Sequence, residues 1–257
     1  MNSVLNAVRD SSSVRDRVSP LEWQTRVDLA AAHRLAELEG WQEPYTIFNH
    51  LTARVPGEPG MMLIKPHELL FGEITASNLI KVPIDGKPMG FESNVNPAGW
   101  AIHSAVYQAR PDVNAAMHVH SQPGMAISAL KEGFMFLNQE AMRFYKRIGY
   151  HEFEGIAAPD ERERLARDLG PHYALILRNH GVLTCNRDVA SAALDLSIIM
   201  RCAEAQLRIL ATGQPVSQPS HEVCEGAAQL YARSKERPAS WNAVRRYIDS
   251  RCPGYAE

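Results

Sequence analysis

Ala109-Arg110-Pro111-Asp112-Val113-Asn114-Ala115-Ala116-Met117-His118-Val119-His120 reads as the end of a helix followed by a strand. Arg110-Pro111-Asp112 stops a helix that opens at Asn96-Pro97 and carries Trp100, Ile102, Ala105, Val106 and Ala109 on its apolar side. Val113 to His120 then alternates, with Val113, Ala115, Met117 and Val119 expected on one face and the two histidines on the other. Residues i and i+2 of a strand stand roughly 6.5–7 Å apart on one face. Two imidazoles at that spacing can converge on one metal at about 2.0–2.1 Å per nitrogen. His118-Val119-His120 is equally satisfied by two polar residues on a solvated sheet face, since the motif is short.

The neighbouring segments set the context. Ser19-Pro20-Leu21-Glu22 is a capping box opening a helix, with Trp23, Val27, Ala31, Leu35 and Leu38 at helical spacing and Gly40 as its stop. From Tyr45 to Met89 the pattern turns to short strands, over Ile47–Val55, Met61–Ile64 and Leu79–Ile84, with Asp85-Gly86 as a turn. Ser121 to Ala129 and Pro159 to Leu169 read as helices, Tyr173–Leu177 and Val182–Cys185 as strands, and Asp188–Ala211 as a long helix. Between those two strands Asn179-His180-Gly181 makes a tight turn, which offers a third imidazole. The reading is an α/β/α layering around an antiparallel-rich sheet, with a loose polar arm over 1–18, one domain over 19–213 and a more polar tail over 214–257.

Composition narrows the function classes. The 257 residues are 45% hydrophobic and 22% charged, which excludes a disordered chain. A formal charge of −2 gives no support for nucleic acid or an anionic membrane as partner. No apolar run approaches the ~20 residues of a membrane span, and the N-terminus lacks the apolar centre of a secretory signal. Cys185, Cys202, Cys224 and Cys252 form no C-x-x-C pair and read as reduced packing residues, so a cytoplasmic location is expected.

Several motifs together resemble the class II aldolase/adducin family over roughly residues 21–212, and the adducin head and its bacterial relatives in particular. The motifs are His50-Leu51-Thr52-Ala53-Arg54, the run Leu69 to Leu79, Asn96-Pro97-Ala98-Gly99 with His103 to Tyr107, Ala109 through His120, and Leu177-Arg178-Asn179-His180-Gly181. The resemblance implies a three-layer α/β/α class II aldolase-like fold with a largely antiparallel mixed sheet, assembled as a homotetramer. It also implies a divalent metal (zinc first, with manganese, cobalt or iron as other occupants) held by His118, His120 and His180.

The departures matter as much. The family's aldolases carry a Glu where this chain has Gly99, and a glycine neither ligates nor transfers a proton. The phosphate cradle of sugar-phosphate members corresponds to His50, His67, Glu68, Pro97 and Ala98, where Glu68 repels an anion and Pro97 has no N–H. His50 and His67 are therefore expected to recognise a carboxylate or phenolate, or to be plain loop residues, and Lys65 to be a strand-end charge or an anion contact. Acid/base work then falls to Glu140 or Tyr145, with His151 near them in sequence. Arg245 and Tyr247 are expected either to complete a neighbouring subunit's site or to lie on an amphipathic helix docked on their own. The expected function is a metal-dependent lyase, by retro-aldol cleavage or decarboxylation, on a small non-phosphorylated hydroxy-acid or carbonyl compound. A non-heme iron oxygenase acting on an aromatic acid and a non-catalytic adducin-like interaction module are the alternatives.

Overall fold

The computed structural model describes residues 14–42, 46–86, 93–155 and 160–257; most of the N-terminal arm, the ends of the Tyr45–Met89 segment and Pro159 lie outside them. Seven strands form one sheet in the order β3-β2-β1-β4-β7-β6-β5. They are β1 His50–Val55, β2 Glu58–Ile64, β3 Ile80–Pro83, β4 Ala115–Val119, β5 Ile148–His151, β6 Ala174–Leu177 and β7 Gly181–Asn186. Every neighbouring pair is antiparallel except β5 with β6, so the sheet is mixed and largely antiparallel.

Among the described residues seven α-helices flank it. They are α1 Pro20–Leu38, α2 Pro97–Ala109, α3 Gln122–Ala129, α4 Glu161–Leu169, α5 Val189–Ala211, α6 His221–Arg233 and α7 Arg237–Arg251. On one face α1, α3, α5 and α7 pack together and onto the sheet; α2 and α4 pair on the other. The apolar residues divide accordingly into two cores. Ala115, Met117 and Val119 point into the first, while Ala116, Leu175, Leu177 and Leu183 join Trp100 and Val106 in the second. Period-two alternation and the three-layer architecture have the same cause, because each face of the sheet must be covered.

Helix caps are where the sequence signals place them. Ser19 accepts from the Glu22 amide, Ser121 from Gly124 and Asp188 from Ser191, each with the helix starting one residue later. One local expectation is corrected, and two features are added to the sequence reading. Val113 precedes β4 in a turn closed on the Arg110 carbonyl and packs in the second core, opposite Ala115. Strand β5 was not expected, because its four residues carry no alternation strong enough to stand out from the loop before them. The tail is mainly two helices, with α7 held to α1 by Trp241 and Arg245, both bonded to Asp28, and to α5 by Arg237 on Asp195.

His33 on α1 is fully buried, with Nδ1 on the Leu29 carbonyl and its ring edge-on to Phe71. Burial pushes its pKa down to about 3. Below an unfolded value of about 6.5 the unfolded chain takes a proton that the native one refuses. Stability is therefore expected to fall as pH drops from about 6.5 toward about 3, with His33 contributing up to about 1.4 kcal/mol per pH unit. Urea denaturation of His33→Leu across that range is expected to show a slope shallower by about that amount.

Candidate metal centre

The site is built at one end of the sheet, where β4 ends and the β6–β7 turn folds over it. His118 is the fourth residue of β4 and lies in register with His50 of β1 and Leu183 of β7. His120 follows the strand, its amide held at 3.0 Å by the Asn49 side chain. His180 arrives in the turn, which Asn179 enters with a φ of 56° and Gly181 leaves. Gly181 has no substitute: a Cβ there would stand 2.6 Å from the Val119 carbonyl and against the His118 and His120 rings. Glycine lets the turn close onto the strand that carries the other two imidazoles.

Three nitrogens converge. His118 Nε2 lies 2.8 Å from His120 Nε2, and that atom lies 2.9 Å from His180 Nε2. His118 Nδ1 is 3.1 Å from the Val182 carbonyl, which can only accept, so Nδ1 carries the proton and Nε2 presents its lone pair. All three are held neutral. Burial depresses His118 well below its ordinary value, lowers His120, and brings His180 down to about 4. Neutral imidazoles, one of them oriented by a backbone carbonyl, are the donor set that a borderline-soft divalent cation takes. Among the described residues this is the one cluster of three such ligand atoms.

His50 stands beside the triad, its ring 4.9 Å from that of His118. It is also why position 99 is glycine: a Cβ on Gly99 would meet His50 Cδ2 at 2.7 Å and Cγ at 2.9 Å. The ring occupies the room that a side chain at 99 would need. His103, one turn further along α2, is a hydrogen-bond partner of His50 and not a member of the triad.

The anion donors nearby are already engaged. Asn96 caps α2 and its side chain accepts from the Ala98 and Gly99 amides, while Pro97 has none to offer. Lys65 is buried, gives its ammonium protons to the Pro66, His67 and Leu69 carbonyls, and is lowered by desolvation to about 8. His67 lies at the same end of the sheet, its ring 5.8 Å from that of the half-exposed Phe48. Across the triad Phe153 is 48% exposed, with its ring 6.3 Å from that of His180.

The remaining candidates are elsewhere in the chain. Glu140, half exposed, is bidentate on Arg201 of α5. Tyr145 bonds His221 at the start of α6. Arg245 is committed to Asp28 and Tyr255 of its own chain, and Tyr247 is 43% exposed. His151 closes β5 with Nδ1 on Asp168 at 2.8 Å. Asn49, Thr52, Tyr107, Asp168 and the Val182 carbonyl were not expected from sequence. A signal existed for two of them: Thr52 follows His50 by two on a strand, and Tyr107 follows His103 by four on a helix, so each pair shares a face.

The chain and its fold have known relatives. The family model of the class II aldolase and adducin N-terminal domain matches residues 27–207. An aldolase II superfamily protein of Pseudomonas syringae is 40% identical, covers 95% of this chain and 100% of its own, and superposes with a TM-score of 0.88. An L-fuculose 1-phosphate aldolase of Glaciozyma antarctica is 26% identical at a TM-score of 0.77, with 91% and 93% of the two chains covered. Rat alpha-adducin is 38% identical over 218 residues; these are 82% of this chain and 29% of the adducin, so the chain spans under a third of that protein.

If His50 and position 99 share one space, Gly99→Ala alone should cost about 1–3 kcal/mol of stability by overpacking. His50→Ala should relieve most of that cost in the double variant. Denaturation of both single variants and the double variant measures the coupling, and additive effects would contradict the contact.

Proposed function

Because this chain belongs to the class II aldolase and adducin N-terminal domain family, we propose that it is a divalent-metal-dependent carbon–carbon lyase acting on a small, non-phosphorylated hydroxy-acid or carbonyl compound. The observation that carries this reading is the convergence of three neutral imidazole nitrogens at the end of the sheet, with His118 oriented by the Val182 carbonyl. His118, His120 and His180 would hold the cation, with zinc the best match to a three-histidine set and manganese, cobalt or iron also accepted by such ligands. A divalent cation bound there supplies Lewis acidity toward substrate oxygens and offsets the negative charge left when a carbon–carbon bond breaks.

Retro-aldol cleavage and decarboxylation share that requirement. The occupied donors argue for the substrate class: with Asn96 on the α2 amides and Lys65 on three carbonyls, these groups are not free to cradle a phosphate. This separates the chain from its relative that acts on L-fuculose 1-phosphate. Exposed Phe48 and Phe153 on either side of the centre suit an aromatic or otherwise planar substrate body. His50 and His67 would face that substrate. For proton handling, His151, held through Nδ1 by Asp168, is the candidate of the same chain. Glu140 and Tyr145, bonded to Arg201 and His221, would take part only in a neighbouring subunit's site. Such an assembly accords with the tetramer implied by the family resemblance and with the exposed apolar Val223 and Leu230 on α6.

No helix among the described residues is long and apolar enough to cross a membrane. A cytoplasmic location belongs to the proposal, with a small molecule as the partner.

Metal analysis of protein purified without chelator tests the reading. Stoichiometric zinc, manganese or cobalt is expected, with most of it lost in His118→Ala/His120→Ala. Cleavage or decarboxylation of a hydroxy-acid panel is expected to fall by about 100-fold or more in that variant. Iron with oxygen consumption would favour the oxygenase instead. Well-folded native protein that neither carries nor takes up metal would leave an adducin-like interaction module as the function.

A further inference from the structure

His50 is the first member of a buried hydrogen-bonded chain that leads away from the triad. Its Nδ1 lies 2.8 Å from His103 Nε2, His103 Nδ1 contacts Thr52 Oγ1, and Thr52 Oγ1 lies 2.8 Å from the Tyr107 hydroxyl. All four side chains are buried, so none of these groups has water as an easy alternative partner.

The chain has a polarity that its far end sets. Among the described residues Thr52 Oγ1 is the one hydrogen-bonding side-chain atom set against the buried Tyr107 hydroxyl, so that hydroxyl satisfies its proton by donating to Thr52. The Thr52 hydroxyl has two possible acceptors. The Ala116 carbonyl is 3.5 Å away, and the His103 nitrogen is much closer. Thr52 therefore donates to His103 Nδ1. A neutral His103 accepting at Nδ1 carries its proton on Nε2 and donates to His50 Nδ1. A neutral His50 accepting at Nδ1 must in turn be protonated on Nε2. Burial keeps both rings uncharged, with His103 lowered to about 3.

Nε2 is on the opposite side of the ring from Nδ1, directed away from His103. It is the ring nitrogen that would stand 3.2 Å from a Cβ at position 99, and no described residue is hydrogen-bonded to it. The strand register sets His50 directly across from His118. A fixed N–H thus belongs to the ring that lies 4.9 Å from that of the metal-binding His118, and among the described residues the charged or titratable groups acting on His118 and His50 are histidines and Lys65.

We propose that His50 is a substrate-selecting residue. Its Nε2–H, positioned by His103, Thr52 and Tyr107 and admitted by the missing side chain at Gly99, donates to the carboxylate of an α-hydroxy- or α-keto-acid chelated at the His118/His120/His180 centre. A carboxylate at this place in the protein would repel such a ligand and compete with it for the cation; a neutral imidazole donor attracts it and leaves the cation's charge to the substrate. This inference rests on the metal-dependent reading above and deepens it by naming the substrate's recognised group.

Glycolate serves as the probe and glycolamide as its uncharged counterpart, titrated into cobalt-loaded protein and read from the visible spectrum of the cobalt. Wild type is expected to prefer glycolate. His50→Phe, which keeps a ring against Gly99, should retain cobalt and lose about 10- to 100-fold in glycolate affinity, as for one hydrogen bond to a charged group, with little change for glycolamide. Nitrogen-15 NMR of the zinc-loaded protein should show His50 protonated on Nε2, and Tyr107→Phe should mix the tautomers and weaken glycolate by a smaller factor. Cobalt uptake with His50 protonated on Nδ1, or with glycolate affinity unchanged in His50→Phe, would overturn the role of His50 and leave the metal reading intact. Wild-type protein that takes up no cobalt would sink the metal reading and this inference together.

Discussion

The Nδ1 proton of His118 rests on the Val182 carbonyl across the β4–β7 ladder, and the geometry of the centre depends on that one hydrogen bond. It selects the tautomer that aims Nε2 at His120 and His180. It also ties the strand carrying two of the imidazoles to the hairpin carrying the third, so a shift of register by one residue would turn His118 to the other face of the sheet. The hairpin can make that approach because Asn179 adopts a left-handed conformation and Gly181 has no side chain to strike Val119. Backbone conformation, strand register and imidazole chemistry are one constraint here.

The same economy of space governs the other side of the centre. His50 fills the volume beside α2 that a side chain at 99 would claim, so the two positions cannot be changed independently. A related aldolase acts on a sugar phosphate, whereas here the α2 amides are closed by Asn96 and the Lys65 ammonium is turned inward onto carbonyls. The fold is held in common. Histidines line this end of the sheet, and their burial keeps them neutral, which would make a bound cation the principal charge of the loaded site.

Much of the architecture was legible in the chain. Ser19, Ser121 and Asp188 announced their helices because a cap is a local event within four residues. The alternation through Met117-His118-Val119 announced β4, because a strand between two apolar layers must alternate its contacts. The His118/His120 pair could be read as two imidazoles on one side of a strand, and the Asn179-His180-Gly181 turn supplied a third. Strand β5 escaped, since four residues in a parallel pairing owe their conformation to β6 and not to themselves. Glu140 and Tyr145 stood near the site in sequence and are bonded elsewhere in the fold.

Residue order alone thus determined most element types, their caps and the layering, because these follow from interactions a few residues apart or from simple periodicity, while the three imidazoles were grouped only through the resemblance to a known family. Only the tertiary structure decided that His50 faces His118, that Gly99 is empty because His50 is there, and that Thr52 and Tyr107 polarise His103. These contacts join residues about fifty positions apart through the pairing of β1 with β4 and the packing of α2 over both. Nothing in the local chain encodes which nitrogen of a histidine carries the proton; that depends on the partner the fold sets against it.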